Sequence, residues 1–303
     1  MNRLTRRRFL GACGVAGSAV IAAQGLTKRQ VAAAERAAEQ NTAPARETYE
    51  THAKGIRIFS GHWRPHYVFE QIAWVSPAWP SQDYVWLDFP EAIFVGKRLL
   101  YLSHINPAIE CEFSDLPAVP WTPIDGGIAF ERALPNGLTF GGSVVKEDDS
   151  NVELELHLTN RTDAPLREIT LQTCAYLRAI REFAEFTRDN KFMHHGERWW
   201  ITVSEARWLP AGSALYRDGG WARGALQVAL PIIATRSAAG DRWIAMTWFT
   251  DTLSLVGNPN HPCMHADPQF PDLVPGESAT IRGRLGFFQG ALESFDAQSF
   301  VTP

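Results

Sequence analysis

Apolar and polar residues alternate strictly over Val152-Glu153-Leu154-Glu155-Leu156-His157-Leu158, a period of two that suits a half-buried strand and no helix. Turn-forming residues bracket this run. Asp148-Asp149-Ser150-Asn151 links it to Gly137 to Lys146 on one side, and Asn160-Arg161-Thr162-Asp163-Ala164-Pro165 links it to Leu166 to Leu177 on the other. Both links predict hairpins, so an antiparallel meander with a neighbour on each side is expected. Further strands are predicted over Ile56–Ser60, Tyr84–Asp88, Leu99–Ser103, Ile128–Arg132, Trp199–Ser204, Val228–Thr235, Trp243–Phe249 and Thr280–Phe288. Several are apolar on both faces, as strands covered on both sides are. The sole helical pattern in this region is Ala179 to Arg188. No repeat or linker divides residues 51–303, and the expectation is one all-β domain, a large antiparallel β-sandwich.

The 303 residues are 45% hydrophobic and 20% charged, which excludes disordered and multi-span membrane classes. The charge is uneven. The first 34 residues carry six basic groups and no acidic one, so a chain cut after Ala34 would hold 23 basic against 33 acidic residues, a net charge of −10. Nucleic acids and anionic lipid surfaces are therefore excluded as expected partners.

Thr5-Arg6-Arg7-Arg8-Phe9-Leu10 followed by the Gly/Ala-rich run to Ala23 matches a twin-arginine export signal. The run is shorter than the ~20 apolar residues of a membrane span. Residues 1–34 are assigned as signal and cleavage region, 35–50 as a polar tether, and 51–303 as the sandwich. The twin-arginine translocase is the expected export partner, and the periplasm or exterior the expected location. Cys111, Cys174 and Cys263 remain after cleavage, in no C-x-x-C pair, so no disulfide framework or zinc ribbon is expected.

Two segments carry a family resemblance. Asn160-x-Thr162-Asp163-x-Pro165, leading to Tyr176, and Cys263-Met264-His265 followed by Pro271-Asp272 and Pro275-Gly276-Glu277 resemble stretches of the galactose mutarotase (aldose 1-epimerase) family. The resemblance implies a β-supersandwich and activity on sugars. The family's general-acid histidine would fall at Thr173 or Cys174 and its glutamate base at His265, so its usual acid–base pair is absent.

Histidines with carboxylate neighbours supply the remaining candidates. His261-Pro262-Cys263-Met264-His265-Ala266-Asp267 places two imidazoles, a thiol and a carboxylate in a Pro-containing segment expected to be an extended loop, with residues 261, 263 and 265 on one side. His66 with Glu70, and Arg64 as a carboxylate clamp, form a second group. His194 and His195 form a third, and His104 closes a predicted strand. The expected acid–base and charge-stabilising residues are His66, His104, His265 and Arg64. His194, His195, His261 and Glu70 are the candidate ligands if a divalent metal ion is used. Trp79, Trp199, Trp200 and Asp267 are the expected sugar contacts, because indole faces stack on sugar C–H faces while carboxylates bind hydroxyls. Asp88 and Glu91 flank Phe89-Pro90 and suit turn acids or a carboxylate pair; His157 is expected in solvent.

No G-x-G-x-x-G after a strand, G-x-x-x-x-G-K-[ST], G-x-S-x-G or H-E-x-x-H is present. The expectation is an exported carbohydrate-active enzyme working by histidine-assisted proton transfer, of epimerase or lyase type, with a non-catalytic envelope carbohydrate binder as the alternative.

Overall fold

The computed structural model describes residues 55–64, 67–185, 189–194, 230–257 and 262–303, and the backbone alone at 200–202 and 216–217. The signal and tether assignments, the segment's His66 and His261, and His195 and Trp199 lie outside the described residues.

Two sheets account for nearly all of it. One runs β1(Ile58–Gly61), β2(Ile72–Val75), β3(Val85–Val95), β9(Ile169–Tyr176), β16(Cys263–Pro268), β15(Thr252–Gly257) and β12(Tyr216–Arg217), with β4(Arg98–Leu102) also paired to β3. The other runs β11(Trp200–Thr202), β10(Lys191–His194), β13(Leu230–Arg236), β14(Arg242–Trp248), β17(Ser278–Gln289), β8(Asn151–Asn160), β7(Leu138–Lys146), β6(Gly127–Ala133) and β5(Thr122–Ile124). Among the described strands every pairing is antiparallel except that of β12 with β15. The expected all-β antiparallel sandwich is what the chain forms. Among the described residues no helix is long and apolar enough to cross a membrane.

The alternation along β8 does what its period requires. Val152, Leu154, Leu156 and Leu158 are fully buried between the sheets, while Glu153, Glu155 and His157 face outward. From the opposite sheet Leu87, Phe89, Leu171, Ala175, Met264 and Ala266 point into the same core, closed by Met246 and Trp248. The Trp248 indole stacks on Phe89 and donates from Nε1 to the Ala266 carbonyl at 3.0 Å, which satisfies its polar edge where no water reaches.

Three expectations are corrected. Asn160 to Pro165 is no hairpin: β8 pairs with β7 and β17, and the chain crosses to β9 in the other sheet. Asn160 builds this crossover, its amide donating to the carbonyls of Ala164 and Leu273 (both 2.9 Å) while its own oxygen accepts from the Thr162 N–H and hydroxyl. Such long-range partners are invisible in local turn chemistry. The segment from Cys263 is strand β16, because Pro262 precedes it and Pro268 ends it, leaving the intervening N–H groups free for the ladder. Ala179 to Arg188 contains a single 3-10 turn, Arg181–Phe183, rather than a helix.

Candidate active site

Residues of the first sheet that do not enter the core share its outer face. Trp86 and Asp88 on β3, Gln172, Cys174 and Tyr176 on β9, and Cys263 and His265 on β16 lie there, since each alternates with a core residue. Register brings them together: Asp88 is opposite Cys174, Cys174 is opposite His265, and Trp86 and Cys263 are both opposite Tyr176. His265 and Cys174 are thus cross-strand neighbours.

Glu91 reaches this face through a bulge. Asp88 and Ala92 of β3 pair with Cys174 and Gln172, so four steps on one strand match two on the other. A regular strand would send Asp88 and Glu91 to opposite faces; the two additional residues let both carboxylates join one cluster. Ser103, just past β4, donates to Asp88 Oδ2 at 2.6 Å, and the next residue, His104, places Nδ1 3.9 Å from Glu91 Oε1. His265 Nδ1 lies 3.5 Å from Glu91 Oε2 and 2.7 Å from the Gln172 carboxamide. Glu91 is therefore held between two imidazoles from different strands.

A strap over residues 62–64 and 67–70 partly covers this face. The Trp63 indole stacks on Tyr176 with ring centroids 4.1 Å apart, and the Arg64 guanidinium lies over Trp63 at 4.1 Å. Glu70 anchors the strap, accepting from the N–H groups of Trp63 (2.6 Å) and Arg64 (2.8 Å) and from Arg64 Nε (3.1 Å). Arg64 Nη2 then reaches Asp88 Oδ2 at 2.7 Å. Beside Glu70, a cleft of about 280 Å³ is lined by His62, Val68, Val119 and Trp121.

Burial controls the protonation of this cluster. Asp88 is pushed up to about 6 because desolvation of its carboxylate outweighs the favourable Arg64 charge and the Ser103 hydrogen bond. Glu91 rises to about 8, again through burial, with His265 opposing the rise and Asp88 adding to it. Burial alone would depress His265, yet the Cys263 sulfur 3.0 Å from Nε2 and the Glu91 carboxylate hold it up at about 10. The Cys174 thiol is pushed well up by its hydrogen bond to Cys263 and by burial. On β10, burial lowers Lys191 to about 8, partly offset by the charge of Cys263.

His104, His265 and Arg64 come together in this cluster. Arg64, however, is committed to Glu70 and Asp88 and offers no open clamp for a substrate carboxylate. Glu70 spends its oxygens on the strap, so a ligand role is not supported by its surroundings. His194 is buried on β10 in the other sheet, away from the Glu91 face in the strand order. Trp79 is corrected to a core residue: it is 2% exposed, stacked on Phe183 and set edge-on to Phe287, with Nε1 donating to Glu182 Oε1 at 2.8 Å. The Trp200 side chain lies outside the described residues. Asp267, on the same side of β16 as His265, accepts from the Ser254 hydroxyl. Asp88 and Glu91, read in the sequence as turn acids or a carboxylate pair, and Cys174 and Gln172 were not among the expected site residues. A Pro-containing break between two acids was the available signal for the first pair.

No family model and no curated protein matches the chain. Solved structures resemble it in outline. A putative aldose 1-epimerase from Escherichia coli K12 is 11% identical with a TM-score of 0.42, covering 78% of this chain and 100% of its own. An aldose epimerase homologue from C. elegans is 10% identical, with a TM-score of 0.44 and coverage of 78% and 100%. A polysaccharide lyase is 8% identical, with a TM-score of 0.35, over 78% of this chain and 33% of its own. No residue role or activity is carried over from likenesses at these scores.

Proposed function

We propose that the protein is an exported carbohydrate-active enzyme that moves protons at a sugar ring, of epimerase or lyase type, on the outer face of the β3–β9–β16 sheet. Glu91 carries this reading: a buried carboxylate set between the imidazoles of His104 and His265 has both a proton relay and the low-dielectric surroundings that general acid–base chemistry uses. His104, with a side chain 19% exposed, is the member open to substrate. Asp88, fixed by Arg64 and Ser103, keeps Oδ1 buried without a hydrogen-bond partner and is placed to accept a sugar hydroxyl. Trp63, Trp86 and Tyr176 form the apolar wall against which C–H faces pack.

In an epimerase the Glu91–His104 couple takes the anomeric hydroxyl proton and returns one to the ring oxygen, opening the hemiacetal. In a lyase it takes the carbon-bound proton next to a carboxylate and the glycosidic oxygen leaves protonated. Purified full-length chain is tested against aldoses by NMR anomer exchange, and against uronate polymers by the ultraviolet absorbance of the unsaturated product. Turnover in the wild type, reduced by about 10²–10⁴ in Glu91→Gln with binding retained, is expected. Glycan binding without turnover in the wild type would convert the protein to a binder, and neither binding nor turnover would end the sugar reading.

A further inference from the structure

We infer that Cys174, Cys263 and His265 form a binding site for one thiophilic closed-shell cation, Zn²⁺ or Cu⁺. The ladder assembles the site from two strands. Cys263 and His265 are two apart on β16 and so share a face, and Cys174 sits directly opposite His265 on β9. One ligand atom from each lies within 4.8 Å of the others, and all three residues are buried. Cys263 Sγ is 3.0 Å from His265 Nε2, and neither sulfur is in a disulfide. Around a tetrahedral zinc with bonds of about 2.3 Å to sulfur and about 2.0 Å to nitrogen, ligand atoms stand roughly 3.5–3.8 Å apart, a spacing that this trio meets with small rotamer changes.

The opposite edge of His265 supports the assignment independently. Nε2 faces the sulfurs while Nδ1 faces Glu91, whose buried Oε2 has no hydrogen-bond partner. A cation on Nε2 would put the ring proton on Nδ1, which requires the Gln172 carboxamide, 2.7 Å away through its amide nitrogen, to turn its oxygen toward the ring and leaves Glu91 Oε2 as the second acceptor at 3.5 Å. That is the carboxylate–histidine–metal order by which proteins orient an imidazole ligand. Two thiol protons leave as a divalent cation enters, so its charge is matched by two thiolates, and three protein ligands leave a fourth tetrahedral position.

The test uses full-length chain purified reduced and metal-free, titrated separately with Zn²⁺, Cu⁺ and the spectroscopic probe Co²⁺. One equivalent of Zn²⁺ or Cu⁺ is expected to bind per chain, and Co²⁺ to show sulfur-to-cobalt charge-transfer absorption. Cys174→Ala and Cys263→Ala are expected to abolish stoichiometric binding, Glu91→Gln to weaken it by about 10–100-fold, and Cys111→Ala to leave it unchanged. Alkylation followed over time and mapped by mass spectrometry needs no variant: modification of the buried Cys174 and Cys263 through local opening is expected to slow when the cation is bound, and that of Cys111 to stay the same. The proposal is overturned if the wild type binds neither cation stoichiometrically, if alkylation of the two cysteines is unaffected by the cation, or if the pair is isolated as a disulfide.

Discussion

Replacing Arg64 by methionine keeps an aliphatic stem under Trp63 and removes the charge that joins the strap to the sheet. The Arg64 side chain is 15% exposed, and the side chains of Glu70 and Asp88 that it bridges are fully buried. Removing one partner of a buried ion pair costs about 3–5 kcal/mol, because the other is left charged without its counter-ion. Here the loss is cushioned. Glu70 retains the N–H donors of residues 63 and 64, and Asp88 retains the Ser103 hydroxyl. The expected cost is therefore at the lower end, about 3 kcal/mol, or roughly a hundredfold in the unfolding equilibrium. Urea unfolding followed by tryptophan fluorescence measures it, with Asp88→Asn and the double variant completing a cycle. The double variant is expected to be more stable than the sum of the single losses implies, with a coupling of about 1–3 kcal/mol. A cost below about 1 kcal/mol for Arg64→Met, or strict additivity in the cycle, would refute the view that this pairing holds the strap.

Asn160→Ala is expected to lose about 1–3 kcal/mol, since the buried amide gives up its bonds to the Ala164 and Leu273 carbonyls while those carbonyls keep Thr162 and Leu166 as donors; chemical denaturation reads this directly. Trp79→Phe is expected to cost about 1 kcal/mol for the lost hydrogen bond to Glu182 while leaving sugar affinity unchanged, and a clear fall in affinity by calorimetry would return Trp79 to the binding surface. Asp148 accepts from the N–H groups of Ser150 and Asn151 and the Asn151 amide; despite some burial, these bonds hold its carboxyl below the ordinary range. A lowered folded-state value stabilises above the unfolded value of about 3.9 and is lost as pH falls through the folded one. The stability gap between wild type and Asp148→Ala, about 1 kcal/mol, is thus expected to be level from pH 5 to 8 and to close below about pH 4, and a gap growing on acidification would contradict it.

The strands were legible wherever burial is one-sided. Along β8 every second residue meets the core, so the alternation is complete in the sequence itself. The crossover after β8 was not legible, because Asn160 acts through Leu273, more than a hundred residues away. β16 was misjudged for a different reason: flanking prolines depress any local strand reading, although neither sits where a ladder N–H is required. His104 stood out because it closes a predicted strand, and His265 because two imidazoles, a thiol and a carboxylate crowd residues 261–267. Glu91 was visible only as a turn acid or half of a carboxylate pair, since its place beside the histidines depends on a register change that the pairing of β3 with β9 defines. Trp79 shows the converse limit. A Pro-rich setting suggested an exposed loop, yet the ring fills the interior between Phe183 and Phe287.

The bulge in β3 separates frame from function. Backbone pairing is secured on one side by Trp86 with Tyr176 and on the other by Ala92 with Gln172, while the stretch bearing Glu91 belongs to neither run of the ladder. Replacing the Glu91 side chain alters the buried carboxyl cluster without shifting either run, whereas Phe89 in the same stretch is fixed in the core against Trp248. The carboxylate on which the proposed chemistry turns can therefore be exchanged at a single position while the pairing on either side of it stays in place.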